Sequence, residues 1–120
     1  MINGVLYRQD NHQLLLSHVM RTTTTFERMR GLLGRPPLRK DQGLIISPCS
    51  AIHTFFMSYP LDLVFLNGNW QIKKLVPGVN ANRIIWVPGA SMVVELPGGV
   101  LENIDLTEGA TLAWEEHQCA

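Results

Sequence analysis

The sequence predicts an α+β fold that is mostly β: a curled sheet or partly open small barrel of about eight short strands with one main helix packed against it. Three observations carry this. The apolar segments are short, with frequent Gly and Pro at the turns between them. A single segment around residues 24–34 combines helical spacing of apolar residues with a capping signal. The run "LDLVFLNGNWQIKKLV" joins two apolar stretches across Asn67-Gly68, a pair suited to a tight hairpin. The chain of 120 residues reads as one domain, 1–120. Apolar residues make up 46% and charged residues 17%, which separates it from disordered chains.

"VLYR" and "HQLLLSHV" flank the polar "QDN" and read as the first hairpin. In "TTTTFERMRGLLGR", Thr24 with Glu27 three residues on forms a capping box. Phe26, Met29 and Leu33 then share one face, so a helix is expected over Phe26–Leu33 with that face inward. Gly34 suits its left-handed end, and the prolines at 36–37 stop it. "QGLIIS" reads as a strand broken by Pro48, and "IHTFFM" as a strand buried on both sides. The stretch 77–83 reads as a surface loop and "VNANRIIWV" as a loop with a short strand. "SMVVELPGG" is a strand ending in glycines, "VLENIDL" one helical turn, and "ATLAWEE" a last strand.

Formal net charge is zero, which argues against nucleic acid and anionic lipid as partners. Arg21, Arg28, Arg30, Arg35, Arg39 and Lys40 crowd one early segment, whereas no Lys or Arg follows Arg83. The early cluster reads either as half of a neutralised surface or as an anion-binding patch. No apolar run approaches the roughly 20 residues of a membrane helix. The N-terminus enters a strand without a basic start and long apolar stretch, so a cytoplasmic location is expected. Cys49 and Cys119 are the only cysteines, and in that compartment they stay reduced. A zinc set drawn from Cys49, His53, His117 and Cys119 matches no familiar module, so neither metal nor cofactor is expected. The serines sit in no nucleophile elbow, and no phosphate-binding glycine pattern is present.

The polar residues inside apolar runs are the informative ones. His53 lies in "IHTFFM", Asp62 in "PLDLVF" and Glu95 in "MVVEL". A buried histidine needs a hydrogen-bond partner, and a buried carboxylate is costly unless paired. Arg28, Arg35 and His53 are the cations available to Asp62 and Glu95. One arrangement is a polar staple from helix to sheet. The other is a pocket, with Arg28, Arg35, His53, Thr54 and Glu95 as ligand-binding candidates and His53 and Asp62 as catalytic candidates.

"TTFERMRGLLGR", "HTFFMSYPLDLVF", "VVELPGG" and "LTEGATL", in this order, resemble the DUF192 family, a prokaryotic domain of unknown function. The similarity runs from about Arg21 to Leu112. The family pattern falls on Arg28, Gly31, Leu32 and Arg35, on His53, Thr54, Met57, Asp62 and Phe65, on Glu95, Leu96 and Gly99, and on Gly109. The resemblance implies a compact β-rich domain with a helix against it, and no activity. Many relatives carry an N-terminal signal or anchor, from which this sequence departs.

Three functions fit these residues. The first is a binding or accessory module holding a small anionic ligand or a peptide carboxylate. The second is a hydrolase or transferase with His53 as general base oriented by Asp62. The third is a structural or partner-binding domain in which the polar cluster only holds the fold. The oligomeric state is not legible.

Overall fold

The structure, a computed structural model, describes residues 1–117. Cys119 lies outside them, and so do its pairing with Cys49 and the complete four-residue zinc set. Among the described residues there are nine strands: β1 (Ile2–Arg8), β2 (Leu14–Arg21), β3 (Gln42–Ile46), β4 (Ala51–His53), β5 (Leu61–Leu66), β6 (Ile72–Val79), β7 (Ile84–Trp86), β8 (Met92–Pro97) and β9 (Leu112–Glu116). One α-helix, α1 (Thr25–Arg30), and one 3₁₀ turn (Val100–Glu102) complete them. No helix among these residues is long and apolar enough to cross a membrane.

Seven strands form a sheet in the order β6-β5-β8-β3-β2-β1-β9, and β4 pairs with β7 in a separate ribbon. Every pairing is antiparallel except β2 with β3, the two strands that α1 connects. The sheet curls until Gln71, just before β6, bridges Thr111, just before β9. It stays open there, so the expected mostly-β, curled and partly open architecture is what forms.

β3 from Gly43 on, β5, and β8 as far as Leu96 are buried, and strand alternation divides their side chains between two cores. Ile45, Val64, Leu66, Val94 and Leu96 point into the curl, where Leu6, Val19 and Leu112 meet them. Leu44, Ile46, Leu63, Phe65 and Val93 point outward. Leu32, from the turn after α1, and Ile52 and Val87, from the ribbon segment, cover that outer face. The ribbon and the α1 turn thus act as a second layer.

Five local expectations are corrected. Helix α1 spans six residues, and Gly31, at φ 55°, ends it three residues before Gly34. The capping box is present: Glu27 N–H donates to the Thr24 hydroxyl at 3.1 Å, and Thr24 N–H donates to the Glu27 carboxylate at 3.2 Å. Phe26 and Met29 are 71% and 74% exposed, so the expected inward face looks outward and Leu32 anchors the segment instead. A helix this short gains little from packing its own face and is fixed mainly by its caps.

"IHTFFM" is a strand only to His53. The chain turns at Thr54, whose hydroxyl donates to Asn80 O at 2.7 Å and accepts from Arg83 N–H at 2.9 Å. Such local side-chain bonds compete with a ladder. The hairpin loop after β5 is not the two-residue turn expected at Asn67-Gly68. Trp70 takes the positive φ of 65°, and the Asn67 side chain accepts from the amides of Asn69 and Gln71. Finally, β6 continues to Val79, into the stretch expected to be loop.

Gly4 illustrates how closely β1 and β9 pack. A Cβ there would overlap the Glu115 carbonyl and the Trp114 indole, whose Nε1 donates to Val19 O at 2.9 Å. Gly4→Ala is expected to cost about 2 kcal/mol, seen as a lower urea midpoint at unchanged m-value.

Candidate functional site

The α1 turn and β4 stand apart above the outer face of the sheet and leave a hollow of about 310 Å³ between them. Gly31 lets the chain turn back over β8. A side chain there would be strained by the positive φ, and its Cβ would sit 3.5 Å from Glu95 Oε1 and 3.6 Å from Ile46 Cδ1. The turn brings Arg28, Met29, Leu32 and Leu33 to one wall. β4 and its approach bring Cys49, Ala51, Ile52 and His53 to the other, with Ile46 and Glu95 below.

Glu95 is the unusual group. It lies opposite Leu44 in β3 and Leu63 in β5 and shares their outward parity. It is 4% exposed, and among the described residues its carboxyl makes no hydrogen bond or ion pair. Burial alone pushes its pKa up to about 7, because nothing nearby compensates the lost hydration of the charged form. Below neutrality it is therefore largely a neutral acid, able to donate one O–H. Burial also pushes the Cys49 thiol up, and its Sγ donates to Ala51 O at 3.0 Å.

His53 is exposed at the end of β4, not buried, and stacks on Phe55 at 5.5 Å between ring centroids. Arg28 is half-buried at the rim, and no ion pair among the described residues involves it. Arg30 and Arg35 are spent on local carbonyls: Arg30 Nε donates to Leu33 O, and Arg35 Nε to Gly31 O, each at 2.9 Å.

Of the five residues expected to bind a ligand, the structure brings Arg28, His53 and Glu95 to one hollow. It does not bring Arg35, which braces the α1 turn, or Thr54, whose hydroxyl is buried between Asn80 and Arg83. Asp62 is elsewhere. It lies opposite Leu96 and shares the inward parity of Val64 and Leu66. Its carboxylate accepts from Gly78 N–H at 2.8 Å, Gly99 N–H at 3.0 Å and Leu101 N–H at 2.9 Å. Asp62 therefore does not orient His53, and neither carboxylate is stapled by an arginine.

The apolar lining from Met29, Leu33, Ile46 and Met57 is not anticipated by the sequence as part of a site, and Cys49 enters there only as a member of the zinc set that matches no familiar module. Met29 and Leu33 look like core residues by period, yet both line the hollow, Met29 from α1 and Leu33 from the turn after it. The arrangement offers Arg28, with Arg30 beside it bonded to local carbonyls, one acid O–H from Glu95 and apolar walls. Such a set suits a group that is anionic at one end and apolar at the other.

The family model DUF192, described as an uncharacterized ACR, matches residues 6–114. A UPF0127 protein of Thermococcus sibiricus is 27% identical over 96 residues, 77% of this chain and 62% of that protein's length. The chain thus spans under two thirds of the curated relative it matches. Two crystal structures share the fold at 18% identity. One, from Sinorhizobium meliloti 1021 and described provisionally as a transcription regulator, superposes with a TM-score of 0.81 over 95% of this chain and 94% of its own. The other, a protein of unknown function from Novosphingobium aromaticivorans, gives 0.74 over 93% and 84%.

Proposed function

The chain belongs to the DUF192 family, a premise that carries no activity with it, and from the site itself we propose a binding or accessory module whose hollow takes a small carboxylate ligand or a peptide carboxylate. The observation that supports this is the meeting of an unpaired Arg28 with a buried, unpartnered Glu95 across apolar walls. Arg28 supplies the charge for a ligand carboxylate, and neutral Glu95 donates a hydrogen bond to its second oxygen. His53 closes the solvent side. An acid–base enzyme built on His53 and Asp62 has no support, because the Asp62 carboxylate serves three backbone amides.

The test is ligand-dependent melting at about pH 6, where Glu95 is protonated. Butyrate and succinate at about 10 mM are expected to raise Tm by a few degrees, by mass action on the folded state. The rise should vanish in Arg28→Gln. It should shrink above about pH 7, as Glu95 ionises and repels the ligand. If neither acid moves Tm, or both act equally on Arg28→Gln, the reading is overturned.

A further inference from the structure

We infer that the occupant of the hollow is an extended peptide segment that adds as a strand to the outer edge of β4 and places a carboxylate against Arg28. The inference rests on the hollow being a binding site and specifies what it binds.

The argument begins with the ribbon's register. Ala51 faces Trp86, Ile52 faces Ile85 and His53 faces Ile84. Just beyond, Thr54 N–H donates to Arg83 O, and Val87 N–H donates to Ser50 O. In an antiparallel ladder, hydrogen-bonded pairs alternate with non-bonded ones. Pairs 50/87, 52/85 and 54/83 are thus the bonded set. The backbone groups of Ala51 and His53 point the other way, off the outer edge of β4. No strand covers that edge among the described residues. Ala51 O accepts the Cys49 thiol, which leaves Ala51 N–H and both backbone groups of His53 open at alternate positions.

That edge borders the hollow. Three successive residues, Ala51, Ile52 and His53, all line it, as an edge permits and one face of a strand does not. The opposite wall is the α1 turn, and no β7 residue contributes. The spacing of open N–H and C=O groups at every second residue is what an added strand reads. Within β4 no lysine or proline guards this edge and no strand among the described residues covers it; its protection is its three-residue length, which limits the added strand to a few backbone bonds.

The walls decide the chemistry of the added strand. Met29 and Met57 line the hollow beside Leu33 and Ile46, and methionine adapts to varied apolar side chains. Arg28 and Arg30 both line the hollow, and among the described residues neither is in an ion pair; Arg30 is hydrogen-bonded to the Leu33 and Gly34 carbonyls, so Arg28 is the freer fork for an acidic side chain or a terminal carboxylate of the peptide. A single small acid would leave the open amides of β4 and the exposed Met29 unused.

The experiment is an affinity selection on the full chain from a soluble synthetic library of random peptides of about seven residues with free C-termini, the retained peptides being sequenced by mass spectrometry and their binding measured individually. Enriched peptides should be apolar and β-branched with a carboxylate. Replacing that carboxylate by its amide should weaken binding at least about tenfold. N-methylation should abolish binding at every second residue and be tolerated at the residues between, and bound peptide should protect the Ala51 and His53 amides from hydrogen exchange. If no peptide binds tighter than about 1 mM while butyrate still raises Tm, strand addition is overturned and the small-acid reading stands. If neither binds, both fall. Tolerance of N-methylation at all positions also overturns it, since side-chain docking alone would then explain the affinity.

Discussion

Asp62→Ala is expected to be the most damaging single polar substitution, lowering the unfolding free energy by about 3–5 kcal/mol. The carboxylate is fully buried and accepts from three amides that come from two different places: Gly78 in β6, and Gly99 and Leu101 at the 3₁₀ turn. Gly78 reaches it because the β5–β6 register shifts between Leu61 and Leu63, where Gly78 takes φ 63°. Removing the acceptor strands three N–H groups beneath the sheet at once. Asp62→Asn keeps one oxygen but turns an NH₂ toward a donor, so an intermediate loss is expected. Urea unfolding measures both. A loss below about 1 kcal/mol for Asp62→Ala would mean that water replaces the carboxylate at little cost.

The second large effect concerns pH. Glu95 has its folded pKa raised from 4.5 to about 7 by burial. Below about pH 4.5 the acid is neutral in both states and contributes no pH dependence. Above it the unfolded chain releases the proton while the folded chain keeps it, so the folded state binds more protons and stability falls as pH rises. The fall ends near pH 7, where the folded state ionises as well. A rise of this size corresponds to about 3 kcal/mol. Glu95→Gln removes this contribution. The variant should show a flatter stability profile between about pH 4.5 and 7 and overtake the parent protein at the upper end. Parallel profiles would show that Glu95 ionises freely in the folded protein, which would also remove the neutral donor from the proposed site.

These two acids show how far the sequence could be read. Their isolation in "PLDLVF" and "MVVEL" already signals burial and a need for compensation. The expected compensation was arginine. Asp62 instead takes backbone amides, and Glu95 takes a proton. Backbone amides carry no sequence signature, and a neutralised acid looks in sequence like any other glutamate. Arg35 was lost to the candidate set for a similar reason, since its partner is the Gly31 carbonyl.

His53 failed as a core histidine because the apolar residues after it do not continue the strand. Phe56, at φ 67°, is 89% exposed, and Thr54 carries the turn. Periodicity read Phe55 and Phe56 as two buried faces, when they stand at a bend. In α1 the opposite holds: Phe26 and Met29 share a 3.6-residue period yet are exposed, and Leu33 lies beyond the helix, which ends at Gly31.

The sequence by itself determined the order and type of the elements, the capping box, the curled mostly-β class and the family. Each is written in local periods, caps and turn residues. The tertiary structure alone decided that Asp62 and Glu95 part company. Asp62 faces Leu96 while Leu63 faces Glu95, and this offset of one residue sends the two carboxyls to opposite sides of the same sheet. A strand's period says which of its own residues share a side. Which layer then covers that side depends on strand order and register, and these are set by contacts distant in the chain.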